Sequence, residues 1–178
     1  MSTTGAEGDS ERRVIDAARE RRSARIERDE AAAETSFCGL LSALVERRER
    51  VTLLTDVGDT VALTLVALGR DGVVGRRDDT ALVLLHTDAI LAFTSEAARV
   101  HASNATPTND SGPPWSELVA TSLAAGMNAT VRRGAVTIAG EVESVGRDVV
   151  TLVRSDGRTR CYVSVASLTE VVSDSPAS

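Results

Sequence analysis

Lysine is absent: all twenty basic residues of the 178-residue chain are arginine. Without lysine there can be no Walker-type phosphate loop, no Schiff-base chemistry and no kinase strand lysine. Aromatic residues are scarce as well, limited to Phe37, Phe93, Trp115 and Tyr162, so Val, Leu, Ile and Ala must build the core. Such a composition favours small, closely packed cores over a large ligand cavity. The two cysteines, Cys38 and Cys161, are far apart and form no Cys-x-x-Cys pair. Their spacing suits reduced, buried thiols in a cytoplasmic protein. His86 and His101 are the only histidines, and neither has a carboxylate or thiol at ligand spacing, so no metal or cofactor is expected. No Gly-x-Ser-x-Gly elbow occurs either. No apolar run approaches the roughly 20 residues of a membrane span. The polar stretch Met1 to Ser10 lacks the apolar centre of a signal peptide.

The net charge of −6 is modest. Residues 34–95 carry nine acids against six Arg, and residues 116–172 carry six of each. Neither has the basic excess expected of a domain that grips phosphates.

What the chain does contain is one short stretch used twice. Val66-Ala67-Leu68-Gly69-Arg70-Asp71-Gly72-Val73-Val74 returns as Glu143-Ser144-Val145-Gly146-Arg147-Asp148-Val149-Val150. In both, an apolar run enters Gly-Arg-Asp and a second leaves it. The pattern predicts two strands and a tight turn, with Gly69 and Gly146 taking a backbone angle that a side chain resists. The match extends outward. Phe37, Leu40, Leu41, Leu44 and Val45 stand 78 positions before Trp115, Leu118, Val119, Ser122 and Leu123 (115 − 37 = 78), each set at i, i+3, i+4, i+7, i+8 spacing on one helix face. Ile90 and Phe93 precede Leu168 and Val171 by the same 78. The turns are offset by 77 (146 − 69 = 77), so one residue has been gained or lost within the unit. An internal duplication of a helix followed by four or five short strands is the inference. A unit of about 60 residues is marginal alone, so the two are expected to pack together, to oligomerise, or both.

Taken in order, residues 1–34 read as a disordered start and a charged helical arm over about 11–34, with opposite charges at helical spacing such as Arg12 with Asp16. Residues 35–95 form the first unit: a helix to about Arg48, then strands at 51–56, 60–68, 73–76, 80–85 and 90–94. Residues 96–114 are a Pro/Ser/Asn-rich linker. Residues 115–172 form the second unit: a helix from Trp115 to Ala125 stopped by Gly126, then strands at 128–133, 136–145, 149–154, 159–164 and 168–172. Ser155-Asp156-Gly157-Arg158 signals a hairpin turn, and Val165-Ala166-Ser167 one turn of tight helix. Residues 173–178 read as a disordered tail. The fold class is mainly β with α.

The helix Phe37 to Val45, the run Leu65 to Val74 and the closing run Val163 to Val171 resemble the Sm-like fold, within the small SH3-like β-barrels. The resemblance covers about 34–95 and 115–172. It implies a tandem of two units, each a helix laid over a bent five-stranded barrel. RNA-binding members of that family use an Asp-x-Asn near the second and third strands and an Arg-Gly or Lys-His pair near the fourth and fifth. Here the first position offers Gly69-Arg70-Asp71-Gly72 and Gly146-Arg147-Asp148-Val149, with no Asn. The second offers His86-Thr87-Asp88 and Ser164-Val165-Ala166.

Asp71 and Asp148, beside Arg70 and Arg147, are expected to bond their own turns rather than to hold a phosphate or metal. Arg132, Arg133, Arg147, Arg154, Arg158 and Arg160 could make a nucleic-acid face on the second unit, with Arg76 and Arg77 on the first. The first-ranked expectation is a non-enzymatic, cytoplasmic assembly or adaptor protein that binds protein, or itself, through sheet edges and the arm. A nucleic-acid-binding regulator using those Arg residues ranks second, and a small hydrolase or metal enzyme last. No membrane partner and no small-molecule substrate are implied.

Overall fold

The computed structural model describes residues 19–23, 25, 36–78, 80–95 and 112–174. Within the N-terminal region residues 19–23 are helical; the rest of the expected arm lies outside the described residues, as do 96–111 of the linker.

From Phe37 onward the order is α1 (Phe37–Glu46), β1 (Arg50–Thr55), β2 (Thr60–Leu68), β3 (Gly72–Arg77), β4 (Ala81–His86), β5 (Ile90–Ser95), α2 (Trp115–Ser122), β6 (Asn128–Arg133), β7 (Val136–Val145), β8 (Val149–Val153), β9 (Arg160–Ser164) and β10 (Glu170–Asp174). A single 3₁₀ turn precedes β5 (Thr87–Ala89) and another precedes β10 (Val165–Ser167). The protein is mainly β with α. Period-two alternation makes the strands: β2 buries Val61, Leu63 and Leu65 and turns the residues between them outward.

All ten strands are antiparallel in one sheet, ordered β5-β1-β2-β3-β4-β10-β6-β7-β8-β9. The second run, β10-β6-β7-β8-β9, has the order of the first, β5-β1-β2-β3-β4. Irregularities fall at matching places. Register shifts between Leu65 and Ala67 in β2, and between Val142 and Ser144 in β7. An extra residue there bends the strand and raises its twist.

The sheet serves two hydrophobic clusters. The first holds Leu41 and Leu44 of α1 with Val51, Leu53, Leu63, Leu65, Val73, Val83 and Leu85. The second holds Trp115, Leu118 and Val119 of α2 with Val131, Val142, Val150, Leu152 and Val171. Val74 and Leu84 belong to the second cluster although they lie on β3 and β4. Strand alternation explains this: Val73, Val83 and Leu85 face one core while their neighbours face the other.

Three expectations require correction. α2 ends at Ser122 rather than Ala125, because Leu123 adopts extended angles (φ −108, ψ 138) and turns into the core. Gly126 lies beyond this end, at φ +86. β10 runs two residues past 172, and Ser173 is buried rather than part of a tail. Cys38 and Cys161 are half-buried rather than fully buried, and Cys161 packs against the second cluster.

Candidate functional site

The sheet is continuous because β4 and β10, far apart in sequence, pair over five residues, from Glu170 opposite Leu85 to Asp174 opposite Ala81. Beyond them the His86 N–H donates to the Thr169 C=O at 2.9 Å. Antiparallel bonds alternate every second residue, so Leu84 and Val171 form the next hydrogen-bonded pair. Both side chains are fully buried.

α2 covers this seam. The Trp115 indole N–H donates to the Val165 C=O at 3.1 Å, and its ring meets His86 edge-on with centroids 5.4 Å apart. The helix sits so close to β3 that a Cβ on Gly72 would lie 2.6 Å from Trp115 Cε3. On Gly69 it would lie 2.6 Å from Leu118 Cδ1. Neither Gly69 nor Gly146 has a positive φ. Gly69 is required by the helix above it, not by the angle of its turn. The Arg70 N–H donates to the Pro113 C=O at 3.0 Å and ties the turn to the start of α2.

An ion network crosses the same seam. Arg132 of β6 pairs with Asp59, in the loop before β2, and with Glu170 of β10 at 3.3 Å. Glu170 is buried while Asp59 is exposed. Together with Arg77 they line an open cleft of about 480 Å³ in which both signs of charge are already paired or adjacent.

The two outer strands differ from the seam. Among the described residues nothing pairs with the outer edge of β5 or of β9. At the β5 end Leu91 is 62% exposed, and Phe37 of α1, packed against Phe93 at 5.4 Å, is 38% exposed. At the β9 end Tyr162 is 71% exposed. By contrast Trp115 is 4% exposed and Leu84 0%.

The candidate arginines are dispersed and largely engaged. Arg160 clasps Glu143 with Nε at 2.9 Å from both carboxylate oxygens and a further contact through Nη2. Those hydrogen bonds hold the Glu143 carboxyl below its ordinary range and raise Arg160 above its own. Arg133 reaches the Ser167 C=O at 3.4 Å. Arg154 lies near Asp156, whose carboxyl is pulled down to about 2, first by the Thr159 hydroxyl and then by the Thr159 and Arg158 N–H groups. Among the described residues the guanidinium groups of Arg147 and Arg158 make no ion pair, Arg158 reaching Asp156 through its backbone N–H alone.

The paired turns also differ from expectation. Among the described residues the Asp71 and Asp148 carboxylates make no hydrogen bond to their own turns, and Asp71 Oδ1 is buried without a partner. Instead their backbone carbonyls accept the N–H groups that open the two 3₁₀ turns, Thr87 to Asp71 at 2.9 Å and Val165 to Asp148 at 2.8 Å. His101 lies outside the described residues. Sequence reasoning missed Leu91 and Tyr162 as surface features. The one available signal was the repeat itself, which sets Tyr162 against the buried Leu84 at the same 78-residue offset.

Compared with the known protein families and with curated proteins, the chain matches none.

Proposed function

We propose that the chain is a tandem duplication of a helix-plus-small-barrel module and acts as a non-enzymatic, intracellular assembly protein. It binds protein by strand addition at its open edges, with the charged N-terminal arm as a second contact. The observation that carries this reading is the β4–β10 seam. It is an antiparallel edge-to-edge junction between two runs of identical strand order. A module that joins edge to edge inside one chain presents the same two edges again at the ends of the sheet, on β5 and β9. The matched bulges and 3₁₀ turns support the duplication, and a cluster under each helix supports one core per module, the second taking Val74 and Leu84 from across the seam.

The nucleic-acid reading draws less support. Arg132 and Arg160 are held in ion pairs, and Glu143, Asp156, Asp59 and Glu170 interleave with the six arginines. A retardation assay at rising salt decides: tight binding that weakens steeply with salt would displace the assembly reading. For the assembly reading, the purified chain is tested for protein association, to itself or to a captured partner, and again after Tyr162→Asp. Association lost with that substitution is the expected result. A chain that associates with no protein at all overturns it.

A further inference from the structure

Resting on the edge-pairing reading, we infer that the partner is a second copy of this chain. β9 of one copy pairs with β5 of the next in the register of the internal seam, and α1 of that next copy seats over Gly146 and Val149.

The first support is that the seam's own residues have counterparts at the ends, and those counterparts are uncovered. Phe37 and Leu40 correspond to Trp115 and Leu118 at the 78-residue offset, and Tyr162 to Leu84. At the seam all three residues are buried. At the ends Phe37 and Tyr162 are exposed and Leu40 half-buried. α1 therefore has two faces: Leu41 and Leu44 fill the first core, while Phe37 and Leu40 lie outside it.

The second support is a pair of substitutions that make sense only across two copies. At the seam the bulky Trp115 lies on Gly72. At the ends the corresponding residues are Phe37 and Val149, a smaller ring against a larger floor. The volume lost on the helix is returned on the strand, yet within one chain α1 packs chiefly on β2. Gly146 points the same way. Gly69 is glycine because Leu118 and the Pro113 carbonyl crowd it. At Gly146 an added Cβ would meet only Val149, at 3.1 Å from its Cγ1, so within one chain no helix crowds this position. A neighbouring copy's Leu40 would supply that crowding.

Carrying the seam register over by 78 positions sets Ala92 opposite Val163, Phe93 opposite Tyr162 and Thr94 opposite Cys161. Phe93 and Tyr162 then form the hydrogen-bonded pair equivalent to Val171 and Leu84. One heterologous contact repeated in this way gives a closed ring if the rotation between modules closes and a filament if it does not. Either product fits the inference.

The test is light scattering on the purified full-length chain with Tyr162→Asp and Phe37→Asp variants, circular dichroism confirming that each folds. Wild type should exceed the mass of one chain and each variant should be monomeric. Their equimolar mixture should form dimers, because each keeps the end that the other has lost. A variant that still forms homodimers overturns the head-to-tail arrangement. As a second probe with little demand on folding, Thr94→Cys in a Cys38→Ser background should give a ladder of oligomers on mild oxidation through Cys161. The paired positions fall within the Cα separation a disulfide spans. Absence of that ladder overturns the register. A wild-type monomer that still takes up another protein at β9 overturns the self-partner and leaves edge pairing standing. A wild-type monomer that takes up nothing overturns both.

Discussion

Replacing Gly72 by Val gives β3 the residue that stands at the corresponding place in β8. The new Cβ would lie 2.6 Å from Trp115 Cε3 and 3.0 Å from Leu118 Cδ1, far inside contact distance. Overpacking of this kind costs about 1–3 kcal/mol, offset by up to about 1 kcal/mol from replacing a strand glycine with a β-branched residue. Trp115→Phe alone removes the indole hydrogen bond to the buried Val165 carbonyl and leaves unfilled space, at about 2–4 kcal/mol. In the double variant the smaller ring makes room for the new methyl groups. The two costs should therefore sum to about 1–2 kcal/mol more than the double variant loses. Urea denaturation of the four proteins measures this cycle. Additivity within about 0.5 kcal/mol would refute the placement of α2 on β3, and with it the helix–strand exchange inferred at the sheet's outer edges.

Arg132→Ala should destabilise by about 1–3 kcal/mol because it strands the buried Glu170 carboxylate. Asp59→Ala, which removes the exposed partner, should cost less than about 1 kcal/mol; thermal melts rank the two. Leu84→Ala should cost about 2–5 kcal/mol and, because this β4 residue sits in the second cluster, lower one shared transition in calorimetry rather than split it. Asp156 has a folded pKa of about 2 against an ordinary 3.8. Its contribution to stability is complete above about 4 and fades as pH falls toward 2. Asp156→Asn should flatten that segment of the acid limb in urea midpoints taken between pH 4 and 2. An unchanged limb would show that the hairpin carboxylate plays no part in acid unfolding.

The strands were legible because period-two burial is a local property. Thr60 to Leu68 stands where its alternation placed it, and Asn128 to Arg133 and Val136 to Val145 where the repeated strand order placed them. The Asp-Gly hairpin was equally local: Gly157 takes φ +65 and Asp156 accepts the turn's amides. What escaped was contact between distant segments. Gly69 looked like a turn glycine, yet the Pro113 carbonyl and Leu118, over forty residues later, exclude a side chain there, and Trp115 excludes one at Gly72. Leu123 follows α2 in a helical pattern, but burial turned it out of the helix. The seam had no signature at all, since Leu84 and Val171 read as ordinary strand residues until paired. For the same reason the arginines could be counted in advance but not their partners. Only the fold sets Arg132 between Asp59 and Glu170, and Arg160 against Glu143.

The central claim, that the two outer edges of the sheet repeat the junction at its middle, is tested most directly by hydrogen exchange of the wild-type protein at high and low concentration. The account predicts slow exchange at the Phe93 and Tyr162 amides in the concentrated sample, accelerating together on dilution, while Leu84 and Val171 stay protected throughout. Fast exchange at Phe93 and Tyr162 at every concentration, or protection of one without the other, would contradict it.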